Sequence, residues 1–270
     1  MGEFSELRAV IFDWAGTTVD FGSRAPMGAF VEVFKRFGVA VTVAEARVPM
    51  GLPKRDHIAA LIGDPDIAAR WSAVHGAPPN DADIDAIHAQ FTPLNAAVVA
   101  DYADLIPGFL PVLEALRGAG LKIGSTTGYT RDIMARLTPA AARLGYAPDN
   151  LVCAGDLAEG RPSPLMMYRC FADLGVYPPW RVVKVDDTVP GIDEAIAAGS
   201  WAIGVTLSGN GCGLSPDELA ALSDGERDAI RRRVGGAMSA AGVHATIDSV
   251  ADLLPVLKAI AARVASGERP

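Results

Sequence analysis

The stretch Val10-Ile11-Phe12-Asp13-Trp14-Ala15-Gly16-Thr17-Thr18-Val19-Asp20 decides how the rest of the chain is read. Its apolar start, extended back to Ala9, has the length of a buried strand, and it stops on an aspartate followed by small residues. A carboxylate at a strand's carboxyl end, followed by a small-residue loop, can be presented to a ligand while loop amides such as that of Gly16 face an anion. Taken alone, Asp13 reads equally well as a turn or cap residue.

Four further apolar runs, at 122–125, 151–154, 182–185 and 201–205, end in small or acidic residues and are followed by helical periodicity. Apolar strands alternating with helices predict a parallel sheet covered on both faces, a doubly wound, Rossmann-like α/β core. In such a sheet the site lies beyond the carboxyl ends of the strands. Between the first and second strands the chain makes an excursion from about Phe21 to Ala103, with helical patterns at 27–37, 58–61, 67–74 and 84–99 and no convincing strand. That is too long for one crossover helix and predicts an inserted helical cap domain, 21–103, on a core of 1–20 and 104–270. Gly22 and Ile106-Pro107-Gly108 mark its hinges.

The strand ends carry the candidate chemistry. Gly124-Ser125-Thr126-Thr127-Gly128-Tyr129 offers hydroxyls to phosphate oxygens, or a helix cap. Gly160-Arg161-Pro162 sets one arginine in a stiff loop, suited to a bidentate phosphate contact or to a surface pair. Val182-Val183-Lys184-Val185-Asp186-Asp187-Thr188 ends an apolar strand in two adjacent carboxylates, costly unless a cation sits there or the next helix is being capped.

Composition narrows the class. Half of the 270 residues are hydrophobic and 21% charged, an ordinary globular balance. The net charge of −8, with Arg231–Arg233 as its one basic cluster, argues against a nucleic-acid or anionic-membrane surface. Three spaced cysteines, Cys153, Cys170 and Cys212, fit no metal or redox signature and suit a reducing cytoplasm. The acidic start reads as a first strand, not a signal peptide, and no apolar run approaches the roughly 20 residues of a membrane helix, so a soluble protein is expected.

In this order, the four strand-end segments resemble the four motifs of the haloacid dehalogenase superfamily, with a cap between the first two. That resemblance implies a nucleophilic aspartate (Asp13), a hydroxyl (Thr127, preferred to Thr126 only by its place in the pattern), a basic residue (Arg161) and an acidic magnesium site (Asp187). It further implies Mg2+ held by Asp13, Asp187 and the Ala15 carbonyl. Superfamily phosphatases carry a second aspartate two residues after the nucleophile to protonate the leaving oxygen; here the position is Ala15. A substrate that needs no such proton is expected.

The chain has five lysines: Lys35, Lys54, Lys122, Lys184 and Lys258. Lys54 follows the Gly/Pro-stiffened turn Pro49-Met50-Gly51-Leu52-Pro53. It reads as a solvated lysine near a helix start, or as an imine-forming amine whose pKa is lowered by Arg55, His57 and Arg161. The segments 12–20, Met50-Gly51-Leu52 with Lys54, and 124–131 resemble the phosphonoacetaldehyde hydrolases (phosphonatases). That family implies a Schiff base at Lys54, attack by Asp13 on phosphorus, phosphonoacetaldehyde as substrate, and a homodimer paired through cap helices. Met50 and His57 then sit near the imine, shielding it or moving protons, or else only packing, and Tyr129 lines the cleft. Many superfamily members have another acid four residues after the motif-four aspartate; here it is Gly191, which leaves the role of Asp186 open. A phosphatase or phosphomutase, and a noncatalytic phosphometabolite binder, are the competing readings.

Overall fold

The computed structural model describes residues 3–270. Its sheet has six parallel strands: β1 (Ala9–Phe12), β2 (Lys122–Thr127), β3 (Val152–Cys153), β4 (Val182–Asp186), β5 (Trp201–Val205) and β6 (Ala245–Ile247). Their order is β3-β2-β1-β4-β5-β6, with every pairing parallel. The doubly wound core expected from the sequence is the one observed. Chain order reverses between β1 and β4, the place where such sheets open a crevice.

Register carries the chemistry to one rim. Phe12 lies opposite Ser125 of β2 and Val185 of β4, so the next residues of all three strands, Asp13, Thr126 and Asp186, emerge side by side. The rim is anchored from below by Val10, Ile11 and Phe12, which are fully buried and contribute about 1.5–3 kcal/mol each by leaving water. Phe12 and Tyr146 both meet Phe109 edge-on, with centroids 5.4 and 4.9 Å away. This fixes the start of α6 (Phe109–Gly118) beneath the loop that follows β1.

Ahead of α6, the excursion between β1 and β2 holds five α-helices: α1 (Ala25–Arg36), α2 (Val43–Arg47), α3 (Lys54–Ile62), α4 (Pro65–His75) and α5 (Asp81–Val98). The longer ones follow the periodicity read from sequence. The short α2 was not expected, because five residues show no period; a capping box between Thr42 and Glu45 stabilises it. Asn80 and Asp83 make another at the start of α5. In the insertion Phe30 stacks on Phe91 at 4.3 Å, and both belong, with Phe34, Ile58 and Ile87, to the same buried apolar cluster as Phe12 and Val185 of the sheet.

The two linkers that join insertion to sheet pair with each other. Asp20 N–H donates to the Asp104 carbonyl at 3.1 Å, Ile106 N–H donates to the Thr18 carbonyl at 2.9 Å, and Val19 and Leu105 form an antiparallel bridge. β6 was also not expected: it has three residues at the sheet edge and only Ile247 is buried, too little apolar pattern to register. The three cysteines are free thiols. Among the described residues no helix is long and apolar enough to cross a membrane.

Candidate active site

One pocket opens at the rim, lined by Asp13, Ala15, Thr127 and Arg161 from the core and by Met50 and Lys54 from the insertion, with Ser23, Gly51, Gly128, Tyr129 and Thr188 between them. Its free space is about 20 Å3, room for one or two waters. Loop 50–54 reaches the core because Gly51, at φ +99°, has no Cβ; one there would lie 2.4 Å from the Thr188 hydroxyl.

Lys54 opens α3 behind Pro53, which fixes the entry of the chain. It is 3% exposed, and its Nζ lies 3.7 Å from the Met50 sulfur, 5.1 Å from the Tyr129 ring centre and 5.7 Å from that of Phe30. Burial lowers its pKa from 10.5 to about 8; Asp13 opposes the shift and Arg161 adds to it. The positive end of α3 acts in the same direction as burial. Neither Arg55 nor His57 supplies the positive charge expected to lower the Lys54 pKa. Arg55 points outward to Asp85 at 2.7 Å. His57 is fully buried, stacked on Phe30 at 4.0 Å and bonded to the Ala46 carbonyl at 2.9 Å, and burial then Lys54 push its pKa down to about 2. It sits behind the pocket wall as a neutral ring.

On the core side, Arg161 Nη2 lies 2.8 Å from Asp13 Oδ1 and donates to the Thr126 carbonyl and hydroxyl at 2.8 and 2.9 Å. Its Nε donates to Glu194 Oε2 at 3.1 Å. The Thr127 hydroxyl oxygen accepts from the Tyr129 amide at 3.1 Å, which leaves its proton free to donate into the pocket. Thr126 instead faces the interior, where its hydroxyl meets Glu194 and Lys184 at 2.9 and 2.5 Å.

Carboxylate oxygens of Asp13, Asp186 and Asp187 lie within 4.8 Å of one another. The three are not equivalent. Asp186 Oδ1 accepts from the Thr188 amide and hydroxyl at 3.0 and 2.7 Å, while its Oδ2 is 3.3 Å from both Arg161 and Lys184. Burial pushes its pKa up, but these partners outweigh burial and hold it below the ordinary value. Its carboxylate also fills the space beside Gly191, where a Cβ would stand 2.1 Å from Asp186 Cγ.

In Asp13, despite Arg161 at 2.8 Å, and in Asp187 burial is not outweighed. Burial, then the charge of Asp186, raise Asp13 to about 6 against the pull of Arg161, and burial with the charges of Asp13 and Asp186 raises Asp187 well above the carboxylate range. Asp187 Oδ1 accepts from Thr17 at 3.2 Å and its Oδ2 from the Asn210 amide at 2.6 Å. Gly16, at φ +84°, lies so close that a Cβ would sit 2.2 Å from Asp187 Oδ2. Two mutually repelling buried carboxylates, all-oxygen donors, and a third acid already matched to protein cations are what a small hard divalent ion would relieve.

Sequence reading left out Lys184 and Glu194, which form the fully buried floor with Asp186 and Thr126, and also Thr188, Ser23 and Asn210. A lysine inside the apolar run 182–186 was the available signal for the floor. Nothing in the sequence marked Asn210.

A buried aspartate at the switch point of a doubly wound sheet, grouped with two more at the end of the neighbouring strand, marks a class. Residues 7–199 match the family described as haloacid dehalogenase-like hydrolase, and the protein is a hydrolase of that superfamily. Within it, the chain is 53% identical to the phosphonoacetaldehyde hydrolase of Paraburkholderia xenovorans and 50% to that of Aeromonas hydrophila. These alignments cover 98% of this chain and 99% and 96% of the relatives. A crystal structure of a phosphonoacetaldehyde hydrolase-like protein from Oleispira antarctica superposes with a TM-score of 0.96 at 43% identity, covering 98% of this chain and 96% of that one. The chain belongs to the phosphonoacetaldehyde hydrolase family.

Proposed function

We propose that this protein hydrolyses phosphonoacetaldehyde to acetaldehyde and phosphate, through an imine on Lys54 and an aspartyl phosphate on Asp13. The observation that carries the reading is a buried amine with a pKa near 8 in the same small pocket as Asp13, at a site where Ala15 stands in place of a general acid. An amine whose pKa lies near 8 keeps a far larger neutral fraction at physiological pH than an ordinary lysine, and it is the neutral form that attacks an aldehyde.

Lys54 Nζ adds to the aldehyde carbon and water leaves, giving a protonated imine beside the phosphonate. Arg161 and the Thr127 hydroxyl hold phosphoryl oxygens; the Gly16 amide, expected from the sequence to face an anion, instead donates to the Val19 and Asp20 carbonyls at 2.7 and 3.1 Å and closes its own turn. An Asp13 oxygen then attacks phosphorus. The carbon–phosphorus bond breaks and its electron pair enters the C=N group, forming an enamine, so no oxygen leaving group has to be protonated. Water attacks the aspartyl phosphate, releasing phosphate and restoring Asp13. The enamine takes a proton on carbon, and water hydrolyses the resulting imine to acetaldehyde and the Lys54 amine. Tyr129 and Met50 wall this end of the pocket against bulk water, and His57 packs behind them.

The carboxylates of Asp13 and Asp187 and the Ala15 carbonyl are the ligands we assign to Mg2+. Bound there, it supplies positive charge that lets two carboxylates and a phosphonate share one site. Asp186 is assigned as the internal counter-charge of Arg161 and Lys184. We assign 21–103 as a cap that opens on the linker ribbon, because free space for one or two waters does not admit the substrate. The reading includes a cytoplasmic homodimer paired through the insertion helices, to be measured by sedimentation, and a place in 2-aminoethylphosphonate breakdown.

The test is incubation with Mg2+ and phosphonoacetaldehyde, with phosphate and acetaldehyde both assayed, followed by borohydride reduction and peptide mass mapping. Equimolar products and a reduced adduct on Lys54 support the mechanism. Products without that adduct remove the imine, and phosphate released only from phosphate esters replaces the reading with a phosphatase.

A further inference from the structure

Arg47, the last residue of α2, reaches from the insertion to the core. Its Nη1 donates to the Gly22 carbonyl at 2.8 Å and to Asn210 Oδ1 at 3.0 Å, and lies 3.3 and 3.4 Å from the carbonyl oxygens of Ser23 and Asn210. Nη2 donates to the Gly213 carbonyl at 3.1 Å, and Asn210 Nδ2 donates back to the Arg47 carbonyl at 3.2 Å. Every one of these guanidinium acceptors is an amide or carbonyl oxygen. A half-buried cation is therefore held by dipoles from the linker at 22–23 and from the loop after β5, with α2 packed between them.

The loop it grips also touches the acidic cluster. The backbone amide of Asn210 is the donor to Asp187 Oδ2 at 2.6 Å, the shortest hydrogen bond to that carboxylate among the described residues. Nearby, Gly22 N–H donates to the Ser208 carbonyl at 2.7 Å and the Ser208 hydroxyl donates to the Gly16 carbonyl at 3.1 Å, so linker, loop and nucleophile turn form one connected layer.

We infer that Arg47 is a positioning residue: by clamping Asn210 it holds the amide that orients Asp187, so docking of the insertion and the cation-ready orientation of Asp187 are a single event. The inference rests on the Mg2+ reading of Asp187. Groups that orient metal ligands through hydrogen bonds commonly matter by about 10–100-fold in metal affinity.

The test is calorimetric Mg2+ titration of the substrate-free protein, with urea unfolding in EDTA as the parallel readout. Arg47→Met keeps the aliphatic stem, and Asn210→Ala removes the side-chain half of the clamp while keeping the backbone amide. Each should weaken Mg2+ binding by about 10–100-fold, and the double variant should be no weaker than the poorer single, because both act through one contact. Arg47→Lys, which reaches fewer carbonyls, should recover part of the affinity. Mg2+ affinity within twofold of the parent in Arg47→Met and Asn210→Ala overturns the inference, even if both unfold more easily. Should Arg47→Met fail to fold, Asn210→Ala decides alone. Asp187→Asn separates the two levels: retained Mg2+ affinity there removes the metal reading itself. Affinity lost in Asp187→Asn but kept in the clamp variants leaves that reading and sinks the clamp.

Discussion

Replacing Lys54 by methionine should abolish turnover and at the same time stabilise the metal-free protein at neutral pH. The side chain is 3% exposed, and its pKa falls from 10.5 to about 8 on folding. Holding the ammonium charged in the fold therefore costs about 3 kcal/mol. Methionine avoids that cost and keeps the volume. It forfeits the approach of the cation to Tyr129 and Phe30, about 1 kcal/mol at these distances. The expected net gain is about 2 kcal/mol at pH 7. The sign with pH follows from proton binding. Between pH 8 and 10.5 the unfolded chain holds the Lys54 proton more often than the folded one, so the parent gains stability as pH rises through that window. The advantage of Lys54→Met should therefore shrink by about 1 kcal/mol from pH 7 to pH 9. Urea unfolding in EDTA at both pH values measures this. A variant less stable than the parent at pH 7, or a gap that does not change with pH, would refute the assignment of a desolvated amine.

Borohydride trapping on Lys54 should accelerate as pH rises and level off above about 8, followed by mass spectrometry of the adduct; a flat profile from pH 6 to 9 contradicts a titrating amine. Asp13, raised to about 6, loses its nucleophilic carboxylate as pH falls through that value, and Mg2+ should move this acid limb of the rate profile to lower pH. An acid limb insensitive to Mg2+ would detach Asp13 from the metal. Gly191→Asp should cost about 1–3 kcal/mol of stability in urea unfolding, since its Cβ would stand 2.1 Å from Asp186 Cγ, and combining it with Asp186→Gly should recover most of the loss. Additive losses in the pair would show that the two positions do not share one space.

The strands were legible in the sequence because a central parallel strand is buried on both faces: β1, β4 and β5 are apolar runs apart from Lys184 and the terminal Asp186. The same logic could not find β6, which is half exposed, or α2, which is held by its cap and not by a buried stripe. Asp13, Thr127 and Arg161 were legible as strand-end polar residues, and the structure brings them to one pocket with Lys54. What escaped were groups whose position depends on distant chain. Lys184 and Glu194 are 10 residues apart and meet across the sheet and α9 (Val189–Ala197) at 3.4 Å. Asn210 matters through a backbone amide, which no side-chain pattern reports. The outward turn of Arg55 toward Asp85 is likewise a matter of helix phase that nearness in sequence to Lys54 concealed.

The paired linkers bear on how the two reacting groups find each other. A domain hung on one flexible strand swivels freely and delivers its side chain from any direction. Here Val19 and Leu105 bridge the two crossings, and hydrogen bonds on either side hold them as a short ribbon. A ribbon bends readily about one axis and resists twisting. Under the imine mechanism proposed above, an aldehyde captured by Lys54 with the insertion swung away would return along a fixed arc, at an effective concentration set by the ribbon and not by diffusion. In that mechanism the angle at which phosphorus meets Asp13 would be inherited from two short stretches of backbone outside the pocket.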